Sequence, residues 1–333
     1  MKLITTTEQL RSFLGAAYSA SDDINRIMPY LDLAEDNVIA KALGPELLTY
    51  LKDTVAPNES AANEHYKYLL GLIRRAQAFY GYAAYLPYAT GNDGNNGLQE
   101  TKTEKTQPVR QAMLEKRIAA TAENAATSLE SALYLLFTKA ENYPTFATSA
   151  TYLAACELFI RNATELKKAC PYTRGYYRLY LSMREYMEER QRKSIVPALG
   201  ADYCEQLLEA QKNDDLTEAE TRLMPYIQRA LGYAAYEDSM MFLNVVQLPS
   251  GGLRVLSEFD GINNQRALSD QDKLFCEYKR TVGLEAEANL KELKRYLDAH
   301  ADELPDYIPT PVENRGQTWP VDNTKYKTII RLR

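Results

Sequence analysis

His65 and His300 are the chain's two histidines and the side chains best suited to proton transfer near neutral pH, but each stands among helix-forming residues far from the other. Solvated helix positions account for both. Four cysteines, Cys156, Cys170, Cys204 and Cys276, show no C-x-x-C spacing, so they write neither a zinc site nor a redox pair and are expected as small buried hydrophobes. The stretch "GNDGNNG" (Gly91–Gly97) superficially has the look of a calcium loop but lacks its alternating carboxylates and closing glutamate, which leaves a flexible turn. Asp214 and Asp215 precede Thr217-x-x-Glu220, so helix capping explains that acidic pair without a metal. No G-x-S-x-G, Walker A, H-E-x-x-H or G-x-G-x-x-G motif is present. The residues therefore predict no enzyme activity, no cofactor and no metal.

Composition points the same way. The chain of 333 residues is 45% hydrophobic and 25% charged, with a net charge of -6. That argues against a general nucleic-acid binder, which needs a basic face to displace counterions from phosphates, and leaves room only for a local basic face. No apolar run approaches the ~20 residues that span a bilayer, and "MKLITTTEQLRS" lacks the apolar core of a signal peptide, so a cytoplasmic protein without a membrane partner is expected.

What organises the chain is repetition. The pentapeptide "GYAAY" occurs at Gly81–Tyr85 and again 151 positions later at Gly232–Tyr236. "IAKALGPELLTYL" from Ile39 matches "IVPALGADYCEQL" from Ile195, and "LITTTEQLR" from Leu3 matches "FIRNATELK" from Phe159, both at an offset of 156. Pro144 and Phe146 align with Pro305 and Tyr307 at 161. A tandem duplication follows, with units 1–146 and 147–308 and a remaining segment 309–333. A second alignment, "IRRA" on "IQRA" at 154, shifts the GYAAY helix by nearly a turn and leaves its register open.

Each unit predicts helices. Thr6-x-x-Gln9 and Asn162-x-x-Glu165 have capping-box form. The next helix runs through "DDINRIMPYLDLAEDNVIAKAL", with Ile24, Ile27, Leu31, Ala34, Val38 and Leu43 near one stripe, and stops at Gly44; Gly200 is the equivalent stop. In the helix after it, Gly81, Ala84, Gly232 and Ala235 are small residues that let a neighbouring helix approach. Gly- and Asn-rich turns then suggest a short β-hairpin or flap in each unit, followed by long helices from Val109 to Glu141 and from Leu268 to Glu303. The fold class is mainly α: two tandem helical-bundle units, each with a hairpin, plus an extended C-terminal arm. The 25 tyrosines, against one tryptophan and eight phenylalanines, suit surfaces half-buried on association as well as core margins.

The order of a strand-like start, a capped short helix, "SDD" (Ser21–Asp23) before a helix ending "ALG", and an Ala- and Tyr-rich helix "RRAQAFYGYAAYLPY" resembles the small helical head–tail connector (adaptor) proteins of tailed bacteriophages. In tandem form it is similar to uncharacterised prophage and phage proteins of gut bacteria. The resemblance implies a virion structural protein, made in the host cytoplasm and forming a homo-oligomeric ring beneath the portal. Portal and tail proteins would be its partners, with genomic DNA passing through the ring without sequence-specific binding. A monomeric helical scaffold or binding module, and an enzyme with an unrecognised carboxylate site, are the competing classes.

The segment "PTPVENRGQTWPVDNTKYKTIIRLR" has no duplicate. Pro309, Pro311 and Pro320 disfavour helix, and "KYKTIIRLR" has the β-branched residues of a strand. From Val312 onward, Arg315, Lys325, Lys327, Arg331 and Arg333 face only Glu313 and Asp322 in sign. An arm that adds a strand to an adjacent subunit or partner ring is expected, with Trp319 as anchor.

Overall fold

The computed structural model describes residues 2–15, 18, 23–89, 91–94, 97–100, 111–240, 245–247, 253–255, 273–304 and 307–308. In the first unit the Thr6 hydroxyl accepts the Gln9 amide at 3.2 Å and Gln9 Oε1 accepts the Thr5 amide at 2.9 Å, which satisfies the open N-terminus of α1 (Thr7–Leu14). Helix α2 (Ile24–Ala34) starts at the Asp23 cap and runs into a wide turn over Glu35–Ile39, where the Ala40 amide donates to the Glu35 carbonyl five positions back. Helix α3 (Ala40–Leu43) follows, then Gly44, α4 (Pro45–Tyr50), a second wide turn over Leu51–Val55, and α5 (Glu64–Ala89). A long α6 (Gln111–Thr138) returns antiparallel along α5, and the two bury Leu69, Ile73, Ala76, Leu129, Leu133 and Leu136.

Short helices α7 (Pro144–Ala147) and α8 (Ala150–Cys156) lead to the second unit. There α9 (Ala163–Ala169) is capped by Asn162, which accepts the Glu165 amide at 2.9 Å, while Glu165 accepts the Arg161 amide at 2.7 Å. Then come α10 (Tyr177–Arg190), a wide turn over Gln191–Ile195, α11 (Val196–Leu199), Gly200, α12 (Ala201–Asn213), α13 (Glu218–Ser239) and α14 (Lys273–Ala299). The order of the first unit recurs, except that α12 runs on through the positions where the first unit has its second wide turn.

Between α5 and α6 the backbone pairs β1 (Gly91–Gly94) antiparallel with β2 (Gly97–Glu100), and between α13 and α14 it pairs β3 (Val245–Gln247) with β4 (Leu253–Val255). These ladders are short, and the described residues are mainly helical.

The single helix expected from Asp22 to Leu43 is instead interrupted by the wide turn. Its cause is polar. Glu35 is buried and takes Lys52 Nζ at 2.5 Å and Gln77 Nε2 at 3.1 Å, and a regular helix would swing it off that site. Gln191 holds the same place 156 positions on, accepting the Phe159 amide at 3.1 Å and donating to the Glu157 carbonyl at 2.8 Å. The extra residue moves the apolar stripe, so Ile39 is fully buried while Val38 is only partly so.

The register left open by the sequence is closed by two equivalent bonds. Arg74 Nε donates to the Leu3 carbonyl at 2.8 Å, and Gln228 Nε2 donates to the Phe159 carbonyl at 2.9 Å. Because Leu3 and Phe159 are counterparts, α5 maps onto α13 at an offset of 154. The two GYAAY segments are therefore three residues out of register, and the turns between Val55 and Glu64 hold two extra residues relative to the second copy.

One apolar cluster runs through both units, from Leu3 and Ile39 to Leu297 and Tyr307, while a second gathers Ile4, Leu10, Leu14, Ile27, Leu31, Ala78 and Leu86 of the first unit. The two repeats share a core and are not beads on a linker.

Candidate functional site: the faces that join helices and repeats

A Cβ placed on Gly81 would lie 2.6 Å from Leu31 Cδ2 and 3.1 Å from the Leu31 backbone, so α2 crosses α5 at a contact with no room for a side chain. Gly232 meets different neighbours. Its added Cβ would stand 3.2 Å from Ala169 Cβ, 3.4 Å from Cys170 and 3.5 Å from Ile160, on α9 and the residues that flank it on both sides. The first-unit counterpart of Gly232 is Ala78, buried beside Ile4 and Leu14. The two glycines thus serve two different crossings, which the shared pentapeptide conceals. Ala235 is fully buried and Ala84 half-buried. Gly44 and Gly200 end α3 and α11 with φ of 83° and 88°, a region glycine enters without penalty, and their amides return to the carbonyls of Ala40 and Val196.

The contact that fixes one repeat to the other was not legible in the chain. Helix α10 has no side-chain cap of its own, so its first amides need an acceptor from elsewhere. Glu130, on α6 of the first unit, supplies it. Its carboxylate accepts the Tyr177 amide at 2.6 Å and the Arg178 amide at 3.1 Å, and pairs with Arg178 Nε at 3.0 Å. A carboxylate at a helix N-terminus is favoured by the dipole as well as by the two amides. Arg178 Nη1 reaches on to the Tyr80 hydroxyl at 3.2 Å. Beneath these bonds the Phe137 ring packs against Phe146, Tyr152, Tyr177 and Tyr180 at centroid distances of 5.2 to 6.2 Å. Burial pushes the Tyr177 and Tyr180 hydroxyls above the usual tyrosine range, and Tyr180 donates to the Ile160 carbonyl. No short motif signals this joint, because its partners are 47 to 98 residues apart.

The side chains first considered for chemistry are dispersed. His65 is exposed, its ring edge-on to Tyr143 at 6.2 Å. His300 Nδ1 lies 2.9 Å from Glu303, which also takes Arg222 at 2.9 Å. Its ring lies tilted against Tyr296 at 4.3 Å, and Tyr296 is stacked on Tyr226, along an open groove between α13 and α14. Asp214 takes the left-handed position after α12, and Thr217 with Glu220 forms the capping box of α13. Among the described residues no group of three or more His, Cys, Asp or Glu could hold a metal ion, and no helix is long and apolar enough to cross a membrane.

The cysteines divide, contrary to the expectation that all four are buried. Cys170 and Cys204 are buried, Cys156 is intermediate, and Cys276 is exposed because it lies on the outer side of α14. Burial pushes the Cys170 thiol up to about 12 and the Cys204 thiol up to about 11. With a disulfide-exchange reagent at pH 8, the native protein is expected to titrate Cys276 first and Cys156 more slowly. Cys170 and Cys204 are expected to react only after denaturant is added. Fast reaction of all four thiols would contradict their placement.

Trp319, Lys325, Lys327, Arg331 and Arg333, the residues of the expected arm, lie outside the described residues.

A family model described as Family of unknown function (DUF6712) matches residues 36–155 and again residues 195–316. The double match reports the tandem duplication independently of the blocks read above. None of the curated proteins and none of the solved structures matches the chain.

Proposed function

The chain belongs to that family of unknown function and carries its unit twice, and from this premise we propose that it is a virion structural protein, a head–tail connector or adaptor subunit of a tailed bacteriophage. The observation that carries the reading is the fusion of two copies through one core and the Glu130 cap, which makes the chain a double-length building block. The element order that resembles phage connectors supports it further. In this reading the chain forms a ring beneath the portal, genomic DNA passes through the centre without sequence-specific contacts, and the β1–β2 and β3–β4 hairpins serve as flaps toward neighbouring rings. Portal and tail proteins are its partners, and residues 309–333 reach one of them by strand addition, with Trp319 as anchor.

The test is particle composition. Mass spectrometry of particles purified from a host carrying the gene in its prophage is expected to find the chain in fixed ratio to the portal protein. A chain ending at Tyr307 is expected to keep the helical circular dichroism and melting temperature of the full chain but to be missing from particles. Particles lacking the full chain would overturn the virion reading; normal incorporation of the shortened chain would overturn the role of the arm.

A further inference from the structure

The net charge of -6 is unevenly spread: from Leu166 to Arg184 the chain carries Lys167, Lys168, Arg174, Arg178 and Arg184 and no Asp or Glu. Folding gathers the first three at one corner of the second unit. Helix α9 ends at Ala169, a single turn over Pro171–Thr173 reverses the chain, and Arg174 and Gly175 lead it toward α10. The Thr173 hydroxyl donates to the Cys170 carbonyl at 2.8 Å and the Arg174 amide to the Pro171 carbonyl at 3.2 Å, which holds the turn. A Cβ placed on Gly175 would lie 3.2 Å from Lys167 Cδ and 3.4 Å from the Ala163 carbonyl oxygen. The Lys167 stem therefore crosses the turn at the residue next to Arg174.

Two observations mark this corner. Lys167, Lys168 and Arg174 are all exposed, and among the described residues none of the three side chains has an ion-pair or hydrogen-bond partner. Arg174 also takes a left-handed conformation at φ 57°, which glycine enters freely and Asn or Asp more readily than arginine. Asp214 is the other described non-glycine residue there. An arginine kept in that conformation points to a use for its side chain. The acids on neighbouring elements are engaged or balanced. Glu165 on α9 accepts the Arg161 amide, Glu130 on α6 pairs with Arg178, and Glu285 and Arg229 act on the Tyr233 hydroxyl with opposite sign. On α14, Glu277 is followed by Lys279 and Arg280. In the first unit Arg11 and Ser12 stand at the places of Lys167 and Lys168, and buried Tyr18 at that of Arg174, so the cluster belongs to the second unit alone.

We infer that this corner contacts the phosphate backbone of double-stranded DNA. Its three side chains offer only donors and positive charge, which suits a polymer of repeated anionic acceptors. Tyr172 is taken up by Tyr233, Tyr236 and Tyr278, which leaves Tyr176 as the exposed ring of the segment. A protein partner is anchored by a cluster of such groups in a desolvated pocket, and a single strand by a row of rings on which its bases stack. One ring beside three cations is neither. Backbone contacts carry no sequence information, so binding is independent of sequence. The inference rests on the proposed function in taking DNA as the polymer, and it names the face that a ring of such chains would turn toward its passage. Weak contacts from several copies add up there, while the acidic remainder of each chain keeps DNA from adhering elsewhere.

Fluorescence anisotropy of a labelled duplex of mixed sequence, titrated with the purified full chain, tests this. Three phosphate contacts give a salt slope of about -2.7, so affinity is expected to fall roughly 40-fold between about 50 and about 200 mM salt. Arg174→Gly is expected to weaken binding and to reduce the slope by about one. Its melting temperature is expected to hold or rise, because glycine suits the φ of 57° better, and a merely structural arginine would not separate the two readouts. Lys167→Ala and Lys168→Ala added to Arg174→Gly are expected to remove the salt-dependent binding. A wild type that does not bind the duplex at low salt, or a triple variant that binds as the wild type does, would overturn the inference. Equal binding to polyglutamate or to vesicles of acidic phospholipid would overturn DNA as the partner. Should loss of the Lys167 stem unfold the triple variant, Lys168→Ala with Arg174→Gly decides, since wild-type affinity and slope in that variant overturn the contact. Particle composition tests the virion reading without reference to DNA affinity, so the two fail separately.

Discussion

Gly81→Leu is expected to destabilise the chain by about 1–3 kcal/mol at least, the usual range for overpacking a tight contact. The reason lies in what the new side chain would meet. Even the first carbon of any substituent comes within 2.6 Å of Leu31 Cδ2 and 3.1 Å of the Leu31 backbone, and a backbone cannot turn aside as a flexible side chain does. Gly81→Ala is therefore expected to be destabilising too, although alanine is the better helix former by about 1 kcal/mol. Gly232→Ala provides the contrast. There the nearest atom, Ala169 Cβ, is 3.2 Å away and the others are 3.4 Å or more, so a shift of a few tenths of an ångström suffices, the gain in helix propensity offsets it, and stability is expected to stay level or rise. Thermal melting of the two alanine variants checks the difference in sign. Equal melting temperatures would mean that the α2–α5 crossing is looser than its distances state.

Glu130→Ala is expected to have the second large effect, and at a different level of structure. It removes the acceptor of the Tyr177 and Arg178 amides and the partner of the Arg178 guanidinium in one change. Leaving partly buried donors unsatisfied costs about 1–3 kcal/mol. Arg178→Ala is expected to cost less, because that side chain is 45% exposed and an ion pair open to solvent contributes little. Glu130→Gln, which keeps one carbonyl acceptor, is expected to fall between them. The position of the loss matters more than its size. Hydrogen exchange at the amides of Tyr177 and Arg178 is expected to accelerate in Glu130→Ala, while protection in α5 and α13 holds. A uniform loss across both units would instead mean that Glu130 supports the whole core.

Much of each unit can be read from short stretches, because the forces that set those features act over a few residues. The Thr6 and Asn162 caps, the stops at Gly44 and Gly200, and the long helices α6 and α14 follow from capping chemistry, glycine's access to positive φ, and apolar spacing. The duplication is legible for a related reason: matched blocks keep their order when both copies fold by the same local rules.

What the sequence left open depends on partners far along the chain. The wide turn at Glu35 exists because a buried carboxylate finds Lys52 and Gln77, and neither residue marks itself as that partner in advance. Register in α5 and α13 is fixed by Arg74 and Gln228 reaching the carbonyls of Leu3 and Phe159, whereas the more conspicuous identity, GYAAY, reflects small residues needed at two different crossings. Cys276 is exposed and Cys204 buried although both sit within helices, since only the neighbours of a helix decide which side faces water. The joint itself, Glu130 on the start of α10, is a meeting of two groups that are each ordinary alone. Sequence by itself determined the helices and their repetition, which short-range interactions dictate; tertiary structure decided which faces meet, because that choice is made by the sum of contacts between segments brought together only by folding.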